Sequence, residues 1–319
     1  MGDLDLLALD VAARFARGWR LVACALAAGL AALFLSLAAH AGEDEAHGIR
    51  IRYPAGAEAT AARLLRSFPR RREEMAAWLG LPRVGSPVLI LVADHEQLER
   101  ELGGSAPEWA VAVTLPDDRL IFRLDKIDSN PNNSLTVVAV HEAVHQVLNQ
   151  LRPMPGRPGR ALPRWFEEGL CVYRAGAGYL QADFSVERTA AAGRLPALRD
   201  ADAGFGSKHA DVAARAYAQG RSVVAFFLRE HGLGALQRLL RRSAAGDSFE
   251  RAFVQATGEE LQRFEVRWRE EVTPWLPYPL FIIVENFELA LLALAGVLVV
   301  LGWLRARRRR PAEMESLGE

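Results

Sequence analysis

The sequence predicts an α+β fold: a mixed N-terminal sheet, a helical C-terminal part and a membrane-spanning terminal helix. Three observations predict it. Short β-rich runs fall between residues 48 and 124, helical patterns follow from 134 to 272, and an apolar run whose one charge is Glu288, near its start, occupies 287–304. Strands first and helices afterwards is the signature of an α+β layer architecture, and an apolar run of that length is enough to cross a bilayer.

Taken in order, residues 21–39 form an uncharged run behind Arg14, Arg17 and Arg20, and Ala39-His40-Ala41 offers a small-residue cleavage pattern. Residues 1–41 therefore read as a cleaved signal peptide or as a retained N-terminal anchor. Residues 48–53 and 87–92 (PVLILV) are strand-like, and between them 57–79 reads as a helix broken or bent at Pro69. Residues 108–114 and 119–124 run apolar or alternate around the turn Pro116-Asp117-Asp118, which predicts a hairpin. Residues 134–150 (SLTVVAVHEAVHQVLNQ) are apolar and free of proline, so they predict a buried helix. Pro153, Pro155, Pro158 and Pro163 forbid helix over 151–163, so the chain turns there and can bring a helix at 165–174 back over the first. Further helices are predicted at 211–230 and at 249–272, the latter with a break at Gly258.

The run 287–304 is followed by Arg305, Arg307, Arg308, Arg309 and Arg310. Positive residues stay on the cytoplasmic side, so this cluster marks 305–319 as a cytoplasmic tail rather than a nucleic-acid patch. Arg14–Arg20 argue the same for the N-terminus, which leaves 42–277 as one domain outside the cytoplasm, with 278–304 as the membrane region. The 39 basic side chains balance 39 acidic ones, and without a basic excess nucleic acid is not an expected partner. Only Lys126 and Lys208 are lysines, a compositional pointer to a GC-rich bacterial genome. The two cysteines, Cys24 and Cys171, provide no disulfide framework; Cys171 reads as a small buried hydrophobe.

The chemistry is concentrated in His141-Glu142-Ala143-Val144-His145. On a helix, positions i and i+4 stack, so both imidazoles can reach one ion, while Glu142 borders that face as a base for an activated water. Pro163-Arg164-Trp165-Phe166-Glu167-Glu168-Gly169-Leu170 adds a carboxylate 23 residues after His145. Two His and one Glu with an open fourth position form a catalytic zinc set. Glu168 shares a helix face with Trp165, Cys171 and Val172, whereas Glu167 lies nearer Arg164 and Arg174. With the apolar face inward, Glu168 is the expected ligand.

On HEAVH and WFEEGL the chain resembles the gluzincin zinc metallopeptidases, most closely their peptidase MA-like branch. Tyr217-Ala218-Gln219-Gly220 is similar to a tyrosine motif on a later helix of zincin aminopeptidases. The resemblance, which spans roughly residues 47–272, implies a zincin-like fold with one Zn2+ per chain on His141, His145 and Glu168. It also implies Glu142 as general base, Tyr217 as oxyanion donor and a peptide or protein substrate. In that fold the sheet's edge strand, here 110–114 or 121–124, would pair with substrate. Val172 departs from the family pattern, standing where some members have an acidic residue, so the partner that orients the imidazoles is unassigned. His95, His209 and His231 read as solvated, and Asp211 as a possible outer partner of the ligands. The expectation is a membrane-anchored zinc peptidase of the cell envelope; the alternative is a catalytically silent zincin scaffold or binding module.

Overall fold

The computed structural model describes residues 42–82, 85–129, 133–152, 162–176 and 186–315. The predicted N-terminal signal or anchor and Cys24 lie outside them. The chain opens with strands β1 (Gly42–Ala46) and β2 (Ile49–Tyr53), helix α1 (Glu58–Leu79), strand β3 (Val88–Val92) and helix α2 (His95–Leu102). Strands β4 (Ala112–Thr114) and β5 (Arg119–Arg123) form the predicted hairpin. The order β1-β2-β3-β5-β4 pairs β2, β3 and β5 in parallel and adds an antiparallel strand at each edge, giving the mixed sheet expected.

Strand β3 explains its own composition. Leu89 and Leu91 face the main core, while Ile90 and Val92 join Leu98 of α2, Ala110 and Ile121 of β5 in a second apolar cluster on the opposite face. A strand buried on both faces reads as an unbroken apolar run. α1 runs without interruption through Pro69, correcting the expected break. Leu64, Leu65, Phe68, Arg72 and Met75 are buried on either side of it, and this packing outweighs the one backbone hydrogen bond that proline removes.

Helices follow: α3 (Leu135–Leu148), α4 (Arg164–Ala175), the short α5 (Val186–Ala191), α6 (Ala210–Ala244), α7 (Phe249–Thr257), α8 (Leu261–Val272), α9 (Tyr278–Glu285) and α10 (Phe287–Glu315). Ser134 caps α3 by accepting from Val137 N. At its other end Asn149 Nδ2 donates to Leu115 O, and the buried Arg72 of α1 donates to Gln146 Oε1 at 2.6 Å. α3 is thereby tied both to the helix beside it and to the β4–β5 turn. α6 extends well beyond the predicted 211–230, passing a kink at Gly232 (φ 74) into a second half that buries Leu236, Leu239 and Leu240. A 3-10 segment, Leu198–Gly206, links α5 to α6.

Candidate metal centre

The site forms where α3, α4 and α6 meet beneath β4. β4 is the outermost strand, whereas β5 is paired on both sides, so of the two strands considered only 112–114 presents a free edge to the cleft. The cleft has a volume of about 500 Å³, and its lining includes Trp109, residues 110–114, His141, Glu142, His145, Glu168, Phe205 and Tyr217.

α4 is seated at its start and at its middle. Asp202 of the 3-10 segment accepts from Trp165 N at 2.8 Å and from Arg164 N at 3.2 Å, satisfying amides at the helix start. Further along, α4 meets α6 at a glycine-on-glycine contact. A Cβ on Gly169 would lie 2.4 Å from Gly220 O, and one on Gly220 would lie 2.6 Å from Trp165 O. This approach brings Glu168 and Tyr217, each near one of the two glycines, to the same cleft.

Glu168 Oε2, His141 Nε2 and His145 Nε2 form a nearly equilateral triangle. The imidazole nitrogens are 3.2 Å apart, and the carboxylate oxygen is 3.3 Å from His145 and 3.5 Å from His141. Ligands at about 2.0–2.2 Å from a tetrahedral zinc are separated by about 3.3–3.6 Å, so the triangle has the dimensions such an ion requires. Glu168 Oε2 is buried and accepts no well-formed hydrogen bond among the described residues, an arrangement a cation resolves. Burial opposes a charge on His145, but Cys171, Glu168 and Glu167 together raise its pKa well above the usual imidazole value. Burial likewise opposes the Glu168 carboxylate, and the two imidazoles outweigh it and hold its pKa well below the usual range. The pocket is thus built to surround positive charge.

Glu167 corrects the expectation that it points away from the site. It is buried, and its Oε1 lies 2.9 Å from His145 Nδ1, with Arg152 Nη2 at 3.4 Å behind it. A proton on Nδ1 donated to this carboxylate leaves the Nε2 lone pair facing the triangle. Glu167 is thus placed to orient His145, one of the two imidazoles whose partner the sequence left unassigned. Arg164 makes a similar contact with Glu168, its Nε donating to Oε1 at 3.4 Å.

Glu142 is buried, and Thr114 Oγ1 of the edge strand donates to its Oε2 at 2.6 Å. Nothing in the local sequence singles out Thr114; only the hairpin's position over α3 does. Tyr217 is buried at the cleft wall, 6.3 Å from the His141 ring and in edge contact with Trp109 and Phe205. Burial, reinforced by Glu168, pushes its pKa well above 10, so the phenol keeps its proton. Cys171 is fully buried as expected, and burial pushes its thiol up to about 12. It is nevertheless part of the cluster, since its Sγ and one ring nitrogen each of His141 and His145 all lie within 4.8 Å of one another.

The remaining candidates lie elsewhere. Asp211 pairs with Arg215 at 2.9 Å on the surface. His209 is exposed as expected, but His95 and His231 are not solvated. His95 Nε2 is 3.3 Å from Glu108, and His231 Nε2 is 2.9 Å from Glu259, each in a partly buried ion cluster.

No curated protein matches the chain significantly. Among solved structures, the aminopeptidase A of Legionella pneumophila in complex with aspartic acid is similar with a TM-score of 0.39 at 15% identity. That likeness covers 69% of this chain and 26% of the other, so this chain spans about a quarter of that protein's length. Residues 80–274, well over half of the chain, match the family model of the Peptidase MA superfamily. The chain belongs to the Peptidase MA superfamily and carries its peptidase-type fold.

Proposed function

We propose that this chain is a zinc-dependent peptidase anchored in a membrane by α10, with His141, His145 and Glu168 holding the metal. The observation that carries the reading is the triangle of Nε2, Nε2 and Oε2 atoms, with sides of 3.2 to 3.5 Å, beside a buried carboxylate. When bound, zinc lowers the pKa of a water and polarises the scissile carbonyl. Glu142 takes the proton of the attacking water and passes it to the leaving amine. Thr114 engages one oxygen of Glu142, which fixes the carboxylate plane and leaves the other oxygen for the proton. Tyr217, protonated at working pH, donates to the oxyanion. The free edge of β4 pairs with the backbone of the peptide and holds it across the cleft.

Glu168 is the better third ligand than Cys171. Its oxygen completes the triangle at ligand spacing, and a carboxylate already held ionised costs no deprotonation, unlike a thiol raised to about 12.

The test is zinc per chain, by elemental analysis, on the purified full-length protein and on Glu142→Gln and His145→Ala, together with turnover of a peptide library. Wild type and Glu142→Gln should each carry one zinc and His145→Ala none, with turnover falling about 10²–10⁴-fold in Glu142→Gln. Undiminished turnover in Glu142→Gln would remove that residue as the base. A wild type that carries zinc but cleaves nothing would indicate a silent scaffold.

A further inference from the structure

The sheet side and the helical side of the cleft are joined by one side chain. Trp109 stands three positions before β4, and its Nε1 donates at 2.9 Å to Ser207 O, just past the 3-10 segment. The indole is also in edge contact with Tyr217, at 6.1 Å between ring centroids, and Phe205 meets Tyr217 in the same way at 5.0 Å. Trp109, Tyr217 and Phe205 thus make an aromatic wall whose outer members belong to opposite sides of the cleft.

The wall is fixed where it leaves the sheet. Arg123 of β5 is fully buried, and its Nη1 donates to Glu108 O at 2.7 Å and to Ala110 O at 3.0 Å, the carbonyls on either side of Trp109. Asp125 accepts from Nε and Nη2 of the same guanidinium, at 3.1 and 2.7 Å, a two-point pairing that sets its plane. The main chain of 108–110 cannot swing away without leaving a buried arginine short of partners, which is costly. The indole is therefore held across the cleft by a rigid mount.

The place of this tie relative to Glu142 decides its consequence. Thr114, the last residue of β4, lies over Glu142, and from there the lining of the cleft runs back through residues 113–110 to Trp109. A peptide paired with the free edge of β4 and extending in that direction meets the indole and the Ser207 carbonyl. The His141 ring is 6.3 Å from Tyr217, and Tyr217 is 6.1 Å from Trp109. Extended chain advances about 3.3 Å per residue, so about four residues at most fit between His141 and the wall.

We propose that Trp109 is a positioning residue that ties the edge strand to the 3-10 segment and closes the groove on that side. Cleavage is then confined to within about four residues of a chain end, and the middle of a long chain is not cut. The length limit deepens the peptidase reading and rests on it, whereas the tie itself does not.

The experiment has two readouts on the full-length chain in a neutral detergent, for wild type, Trp109→Phe and Trp109→Ala. Hydrogen exchange read by mass spectrometry reports the tie. Loss of the indole N–H in Trp109→Phe should speed exchange of the amides at 110–114 and 207–209 about three- to tenfold, while α1 and α8 exchange as before. Products from nested peptides of increasing length report the groove. Wild type should release only fragments of up to about four residues from a terminus. Trp109→Ala, which removes the wall, should also cut further in, and Trp109→Phe, which keeps a ring against Tyr217, should keep the limit. Internal cleavage by wild type, or one product profile for all three chains, overturns the length limit; exchange unchanged in both variants overturns the tie. Wild-type products and the exchange of Trp109→Phe decide the proposal even where Trp109→Ala does not fold. Zinc-loaded chains that cleave nothing would sink the peptidase reading and the length limit with it, and the exchange measurement would still decide the tie.

Discussion

Glu167 and Glu168 are adjacent in sequence and both reach His145, yet they meet different nitrogens. Glu168 approaches Nε2, a corner of the triangle, and Glu167 approaches Nδ1 from behind. The division follows from helix geometry, since neighbouring side chains diverge by about 100° and α4 crosses close enough for His145 to lie between them. Glu167→Ala should therefore leave zinc stoichiometry at one but weaken affinity about 10–100-fold, measured by competition with a chromophoric chelator. Cys171→Ala should leave affinity nearly unchanged; a loss as large as that of Glu168→Ala would transfer the ligand role to the thiol. Tyr217 yields a pH-dependent prediction. Its folded pKa is raised by burial and by Glu168, while in the unfolded chain it ionises near 10. Above pH 10 the unfolded state binds fewer protons than the folded one, so the stability contributed by the neutral phenol is present below 10 and lost progressively above it. Tyr217→Phe should lower turnover about 10²–10³-fold and show less alkaline destabilisation than wild type, read as Tm against pH from 9 to 11. Of these residues the sequence displays those set by local spacing, namely the two histidines and Glu142 on one helix. Thr114 and the inward side of Glu167 are invisible to it, because each is defined by an element that arrives from elsewhere in the fold.

At the scale of elements, the positions that matter most have no side chain. Gly169 and Gly220 let the backbones of α4 and α6 touch, with Gly220 O 2.4 Å from where a Gly169 Cβ would stand. Both fall in motifs singled out for chemistry, WFEEGL and YAQG, and each has a packing task beside that chemistry. Gly220→Ala should cost about 1–3 kcal/mol through overpacking and displace Tyr217 relative to Glu168. A fall in Tm accompanied by a fall in turnover at unchanged zinc content is the expected pattern, and an unaltered Tm would show that the contact relaxes freely. Elements whose burial pattern has one clear period were legible: the hairpin, α3, α4 and the Gly258 break. So were β2, β3 and the extent of α1, whereas the elements the sequence hid were hidden for physical reasons. β1 (GEDEA) is a polar edge strand with no apolar period, and such edges discourage pairing with other chains. The 3-10 segment is short and contains no motif, yet it supplies Asp202 and Phe205. The far half of α6 was hidden by Gly232, which breaks the helical period locally while burial of Leu236 and Leu239 lets the chain resume it.

For the whole molecule, the arrangement of charge sets an orientation. The stretch Phe287–Arg307 has 21 residues, which at about 1.5 Å per residue spans roughly 31 Å, the thickness of a bilayer's hydrocarbon core. Five arginines cluster at its C-terminal end, at 305 and 307–310, whereas Glu285 and Glu288 are the charges near its start. Arginine adjoining a span stays in the cytoplasm, so we expect the end joined to α9 and the peptidase fold on the other side. With Cys24 replaced by Ala, a cysteine placed at Glu74, an exposed position on α1, should react with a membrane-impermeant maleimide in cells whose inner membrane is intact. One placed at Ser316 should react only after that membrane is permeabilised. The native Cys171, being fully buried, supplies the unreactive background. Labelling of both positions in intact cells would remove the span, and labelling of Ser316 alone would invert it. In the predicted orientation a substrate would be reached from outside the cytoplasm, and α9, packed against α5, would join the domain to the span by a short connection.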